Sequence, residues 1–178
     1  MRRIVLACVG IAALGLPAAV SAMLAAPGDG SLVVKGASGP RSGTVPVVAL
    51  TITGAAIGHV DQGHIVIDDP TPNNGASPEV TPGAGVLWRK DSKVSDTAQA
   101  WGGTDFKFRA VGGKYTILIY GSGVDVVAIG TGTVTLTGLV DNPSADGTFS
   151  LDGSDFHSLP GQTTKQLQIV APPTSFNG

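Results

Sequence analysis

Twelve aspartates and one glutamate, Glu79, supply the carboxylates of this chain, and many of the aspartates stand beside glycine or at the ends of apolar runs: Asp61, Asp68, Asp69, Asp141, Asp146, Asp152 and Asp155. Calcium takes clustered oxygen ligands, which Asp152-Gly153-Ser154-Asp155 could offer. No stretch, however, alternates aspartates toward a distal glutamate as an EF-hand loop does, and Asp-Gly is an ordinary turn dipeptide. Turns are therefore expected here rather than a metal site. A glycosidase needs two opposed carboxylates, and no aspartate is marked as one of such a pair.

The three histidines are no better placed for metal. His59 and His64 flank Asp61-Gln62-Gly63, which reads as a three-residue hairpin loop closed by glycine; in that hairpin the two imidazoles fall off register. His157 is remote in sequence, so zinc is not expected. Tyr120-Gly121-Ser122-Gly123 lacks the first glycine of a nucleophile elbow and no helix follows, so it reads as a β-turn. Gly130-Thr131-Gly132 lacks the third glycine and the helix of a phosphate-cradling loop. No catalytic residue, metal ligand or cofactor is assigned, and only a hydrolase with catalytic residues scattered in sequence stays open.

The candidate ligand-binding residues are Trp88 and Trp101, the only tryptophans, with Arg89 beside the first and Asp105 just after the second. Exposed tryptophan stacks on sugar rings or anchors a protein partner. The competing reading is that both close the ends of a β core, because large aromatic side chains are mostly buried.

Short Val, Ile and Thr runs between glycine-containing turns must position these residues. With 26 glycines, 12 prolines and 13% charged residues, no stretch after the N-terminal region keeps a helical apolar period for three turns. The pattern predicts an all-β, antiparallel β-sandwich or barrel. Strands are expected near 31–35, 44–53, 55–60, 64–68, 86–90, 106–111, 114–120, 133–138, 148–151 and 166–170. In Phe106-Lys107-Phe108-Arg109-Ala110 the aromatic and cationic side chains alternate, as in a half-exposed strand. Tyr115 to Tyr120 is apolar on both sides, as in a strand covered twice, and Gly112-Gly113 reads as the hairpin joining the two.

Sliding the chain on itself by 84 positions lays Thr51-Ile52-Thr53-Gly54 on Thr135-Leu136-Thr137-Gly138 and Gly63–Asp68 on Gly147–Asp152. Two pseudo-symmetric halves follow, about 31–68 and 104–171, within one domain spanning 31–171. The connection 69–103 is expected to hold one strand and to begin with an extended, mobile, proline-rich loop from Asp69 to Gly83.

The first 22 residues have the order of a secretory signal peptide: Arg2 and Arg3, an apolar run from Ile4 to Leu16, then Ala18-Ala19-Val20-Ser21-Ala22. Pro17 interrupts the run short of the roughly 20 apolar residues a membrane anchor needs. Cleavage after Ala22 would remove the only cysteine, Cys8, and both leading arginines. That leaves 156 residues, a flexible segment 23–30, a disordered tail 172–178, and a net charge of −4 in place of −2. A thiol-free, mildly acidic domain has no electrostatic footprint for nucleic acid, and no membrane contact is expected after cleavage.

The runs Gly54–Gly63, Phe106–Tyr115 and Gly130–Gly138 resemble those of a group of exported actinobacterial proteins of uncharacterised function. The resemblance covers most of the domain and implies export and an all-β fold, with no active site. The expected role is a non-catalytic binding or structural module, secreted or associated with the cell envelope, whose partner is an envelope component, a glycan or a protein. A carbohydrate-binding module using its tryptophans and a secreted hydrolase are the alternatives.

Overall fold

The computed structural model describes residues 28–39, 44–72, 75–81, 87–90, 95–139, 143–161 and 163–170. The signal peptide with Cys8 and its cleavage site, and the tail from residue 172, lie outside the described residues. Among the described residues, eight strands run in the order β1 (Gly30–Ala37), β2 (Val48–Asp68), β3 (Glu79–Thr81), β4 (Leu87–Lys90), β5 (Ala98–Leu136), β6 (Thr148–Leu151), β7 (His157–Ser158) and β8 (Lys165–Ile169). One helical turn, α1 (Pro143–Asp146), precedes β6. Every pairing is antiparallel, so the chain is all-β.

Two strands dominate: β2 has 21 residues and β5 has 39. β5 pairs with both edges of β2, so that Val48 faces Ile119 and Leu136 while Ile65 faces Trp101 and the same Ile119. Val48 and Ile65 are 17 positions apart in one strand, a span of about 56 Å if straight, yet with one strand between them they stand only about 10 Å apart. β2 must therefore wind round, and β5 winds with it.

The registers resolve into two layers. One has the order β4, 98–104, 62–68, 114–119, 48–53, 131–136, β8; the other has β3, 106–111, 55–60, 124–129, β1, β6, β7. The result is an antiparallel β-sandwich whose two sheets share their long strands, each strand crossing from layer to layer at a bend. The described pairings do not close it into a barrel.

The crossings fall on two rows of glycine. Gly54 faces Gly113 on one side and Gly130 on the other, and Gly63 faces Gly103 and Gly121. A Cβ on Gly63 would lie 2.8 Å from the Gly121 Cα and inside the Tyr120 carbonyl oxygen; one on Gly54 would lie 2.9 Å from the Gly130 Cα. The φ angles of these four, 142° to 153°, are also closed to L side chains. Glycine is required here because two backbones turn the same corner in contact.

Between the layers, Leu50, Ile52, Ile65, Ile67, Ile117 and Ile119 of the first meet Val60, Phe106, Phe108, Val124, Val126 and the β1 residues Leu32 and Val34 of the second. Full burial of such a side chain contributes about 1.5–3 kcal/mol. The alternation expected in 106–110 is present: Phe106 and Phe108 are buried, Lys107 and Arg109 exposed. The strand 114–120 is not covered twice as expected: Tyr115, Ile117 and Ile119 are buried between the layers, whereas Thr116, Leu118 and Tyr120 on the outer face are only partly buried, Leu118 and Tyr120 against Val66, Ala98 and Ala100 of the same sheet.

Three local expectations are corrected. Asp61-Gln62-Gly63 and Gly112-Gly113 are not hairpin loops, and Tyr120–Gly123 is not a β-turn; all are bends inside β2 or β5. A glycine bend and a hairpin look alike locally. They differ in whether the chain beyond pairs with itself or, as here, with another strand. The segment 69–103 holds β3, β4 and the start of β5 rather than one strand, and the expected boundary at 103/104 falls within β5. Of the segments matched at an offset of 84, Thr51–Gly54 lies inside β2, while Thr135–Gly138 runs off the end of β5.

Candidate functional site

The Gly63–Gly121 corner opens into a cleft of about 620 Å³. Gln62 and His64 flank the glycine on β2, and Tyr120 and Ser122 flank it on β5; Ser38 and Gly39 beyond β1, with Leu139 and Ala145, complete the wall. Two backbone bonds hold that wall in place. The Gly39 N–H donates to the Gly121 carbonyl at 2.9 Å, and the Ser38 N–H to the Asp146 carbonyl of α1 at 3.2 Å.

His64 and Tyr120 are direct cross-strand partners on the outer face, and their rings stack with centroids 4.3 Å apart and planes 9° from parallel. On the other side of His64 the register partner is Gly102, which carries no side chain. The stacked pair thus borders a gap in the row. Around it stand an amide, Gln62, and two hydroxyls, Ser38 and Ser122, and no aspartate, glutamate, lysine or arginine is among the described lining residues. An aromatic pair beside neutral hydrogen-bonding groups can seat a polar ring through its C–H face and hydroxyls.

His59 closes the same corner from the opposite sheet. Its Nε2 lies 2.8 Å from Asp105 Oδ1 and its Nδ1 3.5 Å from Asp61 Oδ1, and both carboxylates are exposed. Asp105 adopts φ 52°, left-handed for a residue other than glycine, at the point where β5 crosses between layers. Through Asp105 of β5 against its Nε2, His59 fastens β2 to β5.

Of the expected ligand-binding residues, the β4–β5 register sets Trp88 and Trp101 opposite each other, while Asp105 is engaged elsewhere. Trp101 is half-buried and packs against the main core, opposite Ile65. Trp88 faces Trp101 across the β4–β5 ladder, and Arg89 faces Ala100. Asp105 belongs to the His59 fastening. Three other aspartates serve nearby donors: Asp125 accepts from the Gly36 N–H at 2.7 Å, Asp152 from the Ser31 N–H at 2.7 Å, and Asp68 from the hydroxyls of Ser95 and Thr97 at 2.5 Å each. Asp152 and Gly153, with φ of 52° and 70°, form the turn expected of that dipeptide. Among the described residues, no three of His, Asp and Glu converge as a metal site would require.

Sequence reasoning weighed His64 as a metal ligand or hairpin residue and Tyr120 as part of a strand and the turn after it, never the two together. The signal that could have joined them is the spacing of Gly54 and Gly63, and of Gly103, Gly112, Gly121 and Gly130, at intervals of nine residues. Such a period marks corners at regular stations along two strands and sets the residues beside them opposite one another.

No family model, curated protein or solved structure matches the chain, so the geometry of the corner stands as the guide to its role.

Proposed function

We propose that this protein is an exported, non-catalytic β domain that binds a neutral saccharide of the cell envelope or its surroundings in the cleft at the Gly63–Gly121 corner. The observation that carries the reading is the parallel stack of His64 on Tyr120 beside Gln62, Ser38 and Ser122. Sugar rings offer an apolar face to an aromatic surface and hydroxyls to amides and alcohols, and they need no charged partner. Export rests on the order of residues from Met1 to Ala22, and sequencing the N-terminus of the secreted product tests it.

A glycan array followed by calorimetry on the full chain tests the site. Loss of one aromatic contact, worth about 0.5–1.5 kcal/mol, should weaken binding by up to about ten-fold in His64→Ala and in Tyr120→Ala. Trp88→Ala should leave binding unchanged. Binding that ignores His64 and Tyr120 but needs Trp88 would move the site to β4, and absence of any glycan ligand would remove the reading.

A further inference from the structure

Asp69 directly follows β2 and is only 3% exposed. Its Oδ1 accepts the Thr71 backbone N–H at 2.9 Å and the Thr71 hydroxyl at 3.4 Å, while its buried Oδ2 has no hydrogen-bond partner. Among the described residues no lysine or arginine forms an ion pair with it. A buried carboxylate oxygen left unmatched is unfavourable and calls for a chemical reason.

The residue that follows supplies one. Asp69-Pro70 is the only Asp-Pro pair in the chain. The bond from Oδ1 to the N–H two residues on closes a ring that contains the Asp69–Pro70 peptide, so the carboxyl is folded back along that peptide. Proline has no backbone N–H, which closes the usual route by which the following amide nitrogen attacks an aspartate side chain. The remaining intramolecular route is attack in the other direction.

We infer that Asp69–Pro70 is a self-cleavage site at which Asp69 Oδ2 attacks the main-chain carbonyl carbon of its own residue. An O–C bond forms, the C–N bond to Pro70 breaks, and the carboxyl proton passes to the proline nitrogen. The products are a five-membered cyclic anhydride at the new C-terminus and a secondary amine at Pro70; one water then opens the anhydride to aspartic acid. Nucleophile and carbonyl share one residue and one turn, so the reaction is favoured by proximity. β2 stays paired with β5 along both edges after scission, so the nicked domain remains assembled while the segment leading to β3 gains a free N-terminus.

The reaction runs from the neutral carboxyl and therefore quickens as pH falls. Among the described residues, the ionisable groups about it are the Tyr115 hydroxyl, which feels the Asp69 charge and that of Arg109, and Asp68, which is held by Ser95 and Thr97.

The test incubates the full chain at mildly acidic pH, where its far-UV spectrum is still native, and at the same pH in urea, following intact mass. Fragments ending at Asp69 and beginning at Pro70 should accumulate at least about ten-fold faster in the folded chain, reflecting the positioned carboxyl. Hydroxylamine should capture the anhydride as a hydroxamate at Asp69, and Asp69→Asn should abolish scission. Equal or slower scission in the folded chain, persistence in Asp69→Asn, or cleavage without hydroxamate would each overturn the inference. The comparison of folded and unfolded wild type does not depend on the variant folding.

Discussion

The two glycine rows turn the same pair of strands, yet they are secured in opposite ways. At the row Gly113–Gly54–Gly130 the fastening is buried: the Tyr115 hydroxyl lies 2.8 Å from where a Cβ on Gly113 would be, donating to the Val111 carbonyl at 3.1 Å and the Ala76 carbonyl at 2.7 Å. At the row Gly103–Gly63–Gly121 the fastening is the exposed pair His59–Asp105, and the corner beside it opens into the cleft. The bend is thus a backbone requirement common to both rows. Chemistry comes from what flanks the glycines: Thr53, Ala55, Ile129 and Thr131 at the first row, Gln62, His64, Tyr120 and Ser122 at the second.

The comparison would break if either row tolerated a side chain. Gly54→Val and Gly63→Val should both destabilise by about 3 kcal/mol or more, through strained φ and collision with the facing backbone. Thermal denaturation and soluble yield read this out, and a mild effect at only one row would mean that its strands can separate locally.

A smaller effect separates the two fastenings. Tyr115→Phe removes both bonds of a fully buried hydroxyl and should cost about 1–2 kcal/mol. Burial, and secondarily the Asp69 charge, push the Tyr115 pKa above its ordinary 10.0. The fold therefore favours the neutral phenol: that contribution is complete below pH 10 and is lost as pH rises through the folded value. Denaturant titrations at increasing alkaline pH should show stability falling in the wild type and a shallower fall in Tyr115→Phe.

The smallest effect is at the second row. Asp105 is 81% exposed at its side chain, so Asp105→Asn should cost less than about 1 kcal/mol, with high salt shrinking the difference. A cost equal to that of Tyr115→Phe would show that the cleft side of the molecule is as rigidly held as the buried side.

Local patterns made much of the sandwich legible. Alternation in 106–110 identified the buried face, and the strands at 31–35, 148–151 and 166–170 match β1, β6 and β8 to within two residues at each end. The cleft was not legible, because His64 and Tyr120 are 56 positions apart and meet only through the register of two bent strands. Trp88 and Trp101 drew notice by residue type alone, and Trp101 packs into the core.

The sequence by itself determined the all-β class, since side-chain alternation and glycine-rich breaks act within a few residues. Its nine-residue glycine spacing also determined where the strands could bend. Only the tertiary structure decided that the chain beyond each bend pairs with a neighbouring strand instead of folding back on itself. That choice depends on contacts between distant segments, in which continuous strands bury two apolar faces against each other while every crossing keeps its backbone ladder. The cleft and the buried Asp69 carboxyl both follow from it.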